Sequence, residues 1–134
     1  MTLVNDVVGQ IRMPVSITRQ TMEDILTTAF EGGIRYWCDD AVYLKGDRAE
    51  CGEVGFYAPQ GFEIHLHDSE DGRPFEDSHG LPYRHITEES LLDGIQRWAE
   101  WKEKHGHDVD FEDIDANDAD LILQFSAFKE IVFG

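Results

Sequence analysis

Histidines and carboxylates gather in the middle of the chain, at His65, His67, Asp68, His79 and His85. In the stretch FEIHLHD the two histidines are two residues apart, so on an extended strand both imidazoles share a face and could grip a divalent ion together with a carboxylate. An HxH pair on a wet strand face is common without metal, and no HExxH frame accompanies it. Solvated histidines are the favoured reading, and no metal or cofactor is assigned. A second concentration of carboxylates, DVDFEDIDANDAD, spans residues 108–120. Counted from Asp113, its first, third and fifth positions are Asp113, Asp115 and Asn117, as a calcium loop asks. The match then fails, because Asp118 stands where a glycine makes the turn and Gln124 stands where a bidentate glutamate closes the shell. Helix capping by Asp115, with Asp118 three residues on, is the simpler account.

Two other places hold polar or aromatic groups that packing alone does not explain. Tyr36 and Trp37 lie side by side in EGGIRYWCDD and could offer a stacking platform for a base or a sugar; otherwise one fills the core and the other lies under a loop. Glu31 at a helix end and Gln124 inside an apolar helix are oddly placed, and a buried glutamine must either order the core or meet a ligand. Glu31, Tyr36, Trp37 and Gln124 are therefore the candidate ligand-binding residues. No glycine-rich phosphate cradle, nucleophile elbow or Ser/His/Asp frame is present, so no catalytic residue is assigned.

Short periodic segments must position these groups. Val15 and Ile17 alternate with Ser16 as a short strand, and Thr18 then caps a helix whose Met22, Ile25, Leu26, Ala29 and Phe30 form one apolar face. Gly32 and Gly33 should end it by taking a left-handed conformation. Ile34, Tyr36, Trp37, Val42, Tyr43 and Leu44 then predict a strand, interrupted near Asp39 and Asp40. FEIHLHD is a second strand, with Phe62, Ile64 and Leu66 inward and Glu63, His65 and His67 outward. Residues 68–82 read as a surface loop. Thr87 caps a helix with Leu91, Leu92, Ile95, Trp98 and Ala99, ending near His105 and Gly106. Asp115 opens a third helix, apolar nearly all round through Ala119, Leu121, Ile122, Leu123, Phe125 and Phe128. Such a helix should be buried, in the core or in a homo-oligomer formed through this helix and the tail. The tail, Ile131 to Gly134, should be docked. The fold class is α+β: a small, mainly antiparallel sheet with three helices packed on one face or end.

The chain has 134 residues, 41% of them hydrophobic and 11% aromatic, enough for one core and a single domain over 1–134. Acidic residues number 28 against 11 basic ones, giving a formal charge of -17. A surface of that sign repels phosphate, and the scattered arginines and lysines form no stripe to displace counterions, which disfavours direct binding of nucleic acid. A partner with a basic surface would be drawn to it, and Asp108, Asp110, Glu112 and Asp113 are the candidate partner-binding residues. Acidity kept only for solubility is the competing account. Cys38 and Cys51 are too few for a disulfide framework and lack CxxC spacing, so they read as reduced thiols. With no signal-like leader and no apolar run of spanning length, the sequence reads as soluble and cytoplasmic, without a membrane partner.

Several stretches taken in order carry a likeness: DIL at Asp24 to Leu26, EGGIxYWC from Glu31 to Cys38, LLDGI at Leu91 to Ile95, DAxDADxILQ from Asp115 to Gln124, and EIVFG from Glu130. Together they resemble a family of short, functionally uncharacterised proteins encoded by tailed phages and prophages. The resemblance covers most of the chain, with 47–82 the least matched. It implies an accessory gene product that works in the cytosol of a host cell by binding, for example a counter-defence inhibitor that occupies the nucleic-acid groove of a host enzyme. Three readings follow. The first is a non-enzymatic accessory protein that binds a host protein with a basic surface. The second is a module sequestering a nucleotide-like small molecule through Tyr36, Trp37 and Gln124. The third, and weakest, is a metal-dependent enzyme using the histidines.

Overall fold

The computed structural model describes residues 8–9, 11, 13–45, 61–68 and 83–133. Among the described residues three helices and a three-stranded antiparallel sheet share one core, so the architecture is α+β. The loop expected at 68–82 lies almost wholly outside the described residues, as do Cys51 and His79.

Helix α1, Arg19–Thr28, starts where Thr18 accepts a hydrogen bond from the Thr21 amide at 3.2 Å, and it buries Met22, Ile25 and Leu26. It widens into a single π-helical turn, Ala29–Gly33. The left-handed stop expected at the glycines is not what ends it, since neither Gly32 nor Gly33 has a positive φ. Gly33 is needed instead for close approach: a Cβ there would lie 2.8 Å from the Ala116 carbonyl oxygen at the start of the third helix.

The strand expected from Ile34 onward begins later, at Cys38. Residues 34–37 form a turn in which the Trp37 amide donates to the Ile34 carbonyl at 3.0 Å. Ile34 and Trp37 are both buried. Two core residues three apart suit a turn, whereas a strand would send them to opposite faces. Strand β1, Cys38–Lys45, pairs with β2, Glu63–Asp68, and its register slips between Cys38 and Asp40, where the interruption was expected. Strand β3, Tyr83–Thr87, completes the order β1-β2-β3. The strand expected at Val15 to Ile17 does not form. Residues 13–18 are irregular, with Ile17 packed against the core and Val15 59% exposed, and no described strand offers them a ladder.

Helix α2, Glu88–Lys104, follows β3 directly, with Thr87 and Ser90 closing a reciprocal capping box. Its buried stripe is Leu91, Ile95 and Trp98, and Gly106 with φ 73 lies just beyond its end. Leu92, expected in the stripe, is 43% exposed, because it sits one residue, about 100°, around the helix from Leu91. Helix α3, Ala116–Phe128, has the Asp115 and Asp118 capping box and ends at Lys129 in the left-handed conformation. It crosses α2 at Gly94, where an added Cβ would sit 2.7 Å from the Ile122 carbonyl oxygen. Ala119, Ile122, Leu123 and Phe125 are buried within this chain, while Leu121 and Phe128 are partly exposed. No helix among the described residues is long and apolar enough to cross a membrane. The Cys38 side chain is buried.

Candidate functional site

Three of the four residues expected to bind a ligand converge, and their partner is one the sequence reading missed. Asp120, on α3, accepts the Trp37 indole N–H at 2.7 Å, the Tyr36 hydroxyl at 2.5 Å and the Gln124 amide at 2.9 Å. The π-helical turn and the short turn after it deliver Tyr36 and Trp37 to this point, while one turn of α3 separates Asp120 from Gln124. Gln124, fully buried, accepts the amides of Val132 and Phe133 on its Oε1, both at 2.8 Å, and its Nε2 also reaches the Phe133 carbonyl at 3.3 Å. Only this orientation of the amide satisfies a carboxylate on one side and two N–H groups on the other.

Burial first, and then the hydrogen bond to Asp120 and its charge, push the Tyr36 phenol well above its ordinary value. The phenol therefore stays a donor to Asp120 at neutral pH. The Trp37 ring stacks on Phe133 at 5.3 Å and meets Phe128 edge-on at 5.6 Å. With only 2% of its surface exposed, Trp37 is the core member of the pair and offers no face to a base or a sugar, whereas Tyr36 is 54% exposed. The tail is docked as expected, through Phe133, while Ile131 and Val132 remain exposed. Glu31 is exposed and makes none of these bonds. The constellation is a clasp holding the tail and the first turn against α3. Its polar groups are directed at one another.

The four carboxylates expected to meet a partner are all exposed on the connection between α2 and α3. Asp110 folds this segment locally by accepting the Glu112 amide at 2.9 Å. Asp115 and Asp118 cap α3, and Asp118 also accepts from Lys102 at 3.3 Å. Beside this segment runs an open groove of about 770 Å³. Ile11, Met13 and Val15 form one wall, and Leu92 and Ala99 on α2 with Phe111 form the other. Among the described residues its rim carries Glu100, Glu103 and Asp108, with His107 and Gln96. Ile11 and Met13 are 84% and 71% exposed, an unusual cost for large apolar groups in a row. The sequence signal for this wall is the recurrence of apolar residues before Thr18, of which only Val15 to Ile17 are expected as a strand.

On the sheet, alternation places Ile64, Leu66 and Ile86 in the core and His65, His67 and His85 on the other face. Burial, then the neighbouring His85 and His67, hold the His65 imidazole below its ordinary value. Compared with known proteins, the chain matches no family model, no curated protein and no solved structure.

Proposed function

We propose that this chain is a non-enzymatic binding protein whose partner presents a basic, amphipathic segment to the groove between residues 11–17 and α2. The observation that carries this reading is the pairing of an exposed apolar groove with a rim that holds Glu100, Glu103 and Asp108, continued by the exposed Asp110, Glu112 and Asp113. Apolar side chains of the partner would replace water over Ile11, Met13 and Leu92. Each large side chain fully buried contributes about 1.5–3 kcal/mol before the costs of association. Lysines or arginines flanking them would meet the rim, where complementary charge chiefly raises the rate of encounter and excludes wrong partners. The groove lies within the roughly 300–1,000 Å³ of small-ligand sites, but it is open to solvent and its rim selects a cation, which favours a peptide segment.

The resemblance to short phage and prophage proteins supports a bacterial host protein as that partner. A counter-defence inhibitor fits best, because a protein that normally grips nucleic acid carries the basic groove that this acidic surface would occupy. The test is capture from host lysate by three forms: the wild type, the variant Asp108→Asn/Asp110→Asn/Glu112→Gln/Asp113→Asn, and Leu92→Lys. One protein retained by the wild type, released by salt and depleted on both variants is the expected result. A protein held equally by all three, or no protein at all, would reject the groove as the binding surface.

A further inference from the structure

The three histidines on the outer face of the sheet are not used by the binding surface, and their placement is fixed by the strand ladder. His65 and His85 are directly opposite each other across β2 and β3, and His67 lies two residues along on the same face, opposite Tyr83. Opposed residues of an antiparallel pair have Cβ atoms about 4.5–5.5 Å apart, and diagonal ones about 7–8 Å, within the joint reach of imidazoles. We infer that His65, His67 and His85 form a binding site for one divalent cation of the zinc class, with Glu63 as the outer partner of His85.

Two geometric facts support the site. In a tetrahedral shell with metal–nitrogen bonds of about 2.0–2.1 Å, two ligating imidazoles have ring centres roughly 5 Å apart. The His65 and His85 rings stand at 5.2 Å with their planes at 87°, close to that arrangement. Secondly, the Nε2 of His85 lies 3.1 Å from a Glu63 carboxylate oxygen. A metal-bound histidine characteristically gives its second ring N–H to such a group, which fixes the tautomer and leaves Nδ1 for the ion.

The His67 ring is 6.4 Å from that of His65 and has to turn inward. Among the described residues no three histidine, cysteine or carboxylate side chains already converge on one point, so the ion must gather these rings by side-chain rotation alone. The ladder fixes the three positions on one face, and the proposal requires the His67 ring to turn toward the other two. Three imidazoles with the remaining position filled by water suit zinc, copper or nickel over calcium or magnesium, which prefer oxygen shells.

The experiment is titration of the chelator-treated full chain with Zn²⁺ by calorimetry, and with Co²⁺ by visible absorption, which reports a tetrahedral shell. One ion per chain is expected. His85→Ala, at an exposed position, and His65→Ala should each weaken Zn²⁺ binding at least tenfold and abolish the tetrahedral Co²⁺ band. Glu63→Gln, which leaves all three ligands in place, should weaken it about 10- to 100-fold. His105→Ala/His107→Ala, at the other histidine pair, should leave it unchanged. Binding indifferent to His65 and His85, or binding lost in the His105 and His107 variant, would overturn the assignment, as would no Zn²⁺ bound above the level of His85→Ala.

Discussion

Replacing Gln124 by Met keeps the volume and flexibility of the side chain while removing every hydrogen bond it makes, so the loss measures the clasp without a cavity. The amides of Val132 and Phe133 lose their acceptor, and Asp120 loses one of three donors. An orphaned, partly buried N–H costs about 1 kcal/mol and a bond to a charged group contributes about 1.5–3 kcal/mol. Val132 is 49% exposed, so water relieves part of this. The expected destabilisation is therefore about 2–4 kcal/mol. A domain of this size has roughly 5–15 kcal/mol to lose and stays folded. Urea unfolding should show a lower midpoint with an unchanged slope. Amide exchange at Val132 and Phe133 should accelerate as Phe133 leaves its stack on Trp37. A loss below about 1 kcal/mol with protected amides at both residues would show that Gln124 does not hold the tail, and would reopen it as a ligand-binding residue.

Gly94→Ala tests the helix crossing. Alanine favours a helix over glycine by about 1 kcal/mol. Here its Cβ would fall 1.9 Å from the Ser126 hydroxyl and 2.7 Å from a backbone oxygen, so the outcome should be a net loss of about 1–3 kcal/mol in urea unfolding. A more stable variant would refute the close approach. Asp93 accepts from Lys129 at 2.9 Å and Arg97 at 2.8 Å, and these two bonds hold its carboxyl below the ordinary value. A depressed carboxyl contributes stability above its unfolded pKa, and that contribution is lost as pH falls through the folded value, so the effect is confined to acid. Lys129→Ala should raise the Asp93 midpoint in a carboxyl-resolved NMR titration; an unmoved midpoint would dismiss the pair.

Much of the helical frame was legible because its signals are local. Thr18, Thr87 and Asp115 each stand as a polar cap before an apolar period, and each caps a helix in the fold. FEIHLHD was legible for the same reason, since alternation alone assigns its two faces. What escaped depended on contacts distant in sequence. Gly33 suits a left-handed stop equally well until Ala116 is known to lie against it. Tyr36 and Trp37 read as strand because β-prone aromatics carry no information about the turn that Ile34 and Trp37 close. Within the candidate site, Gln124 was conspicuous as a polar group among apolar ones. Asp120, one turn away, was absorbed into the acidic run before it and overlooked. The groove could not be foreseen, because half of it is a segment without regular structure.

The central claim, that an acidic apolar groove captures a basic partner, is tested most directly by association kinetics. Stopped-flow measurement of the captured partner binding to the wild type and to the Asp108, Asp110, Glu112 and Asp113 variant, across ionic strengths from about 0.01 M to 1 M, spans Debye lengths of roughly 30 Å to 3 Å. The account predicts a wild-type association rate that falls steeply with salt, and a variant at least about tenfold slower at low salt that converges on the wild type at high salt. Rates independent of salt, or equal for the two proteins at about 0.01 M, would contradict it.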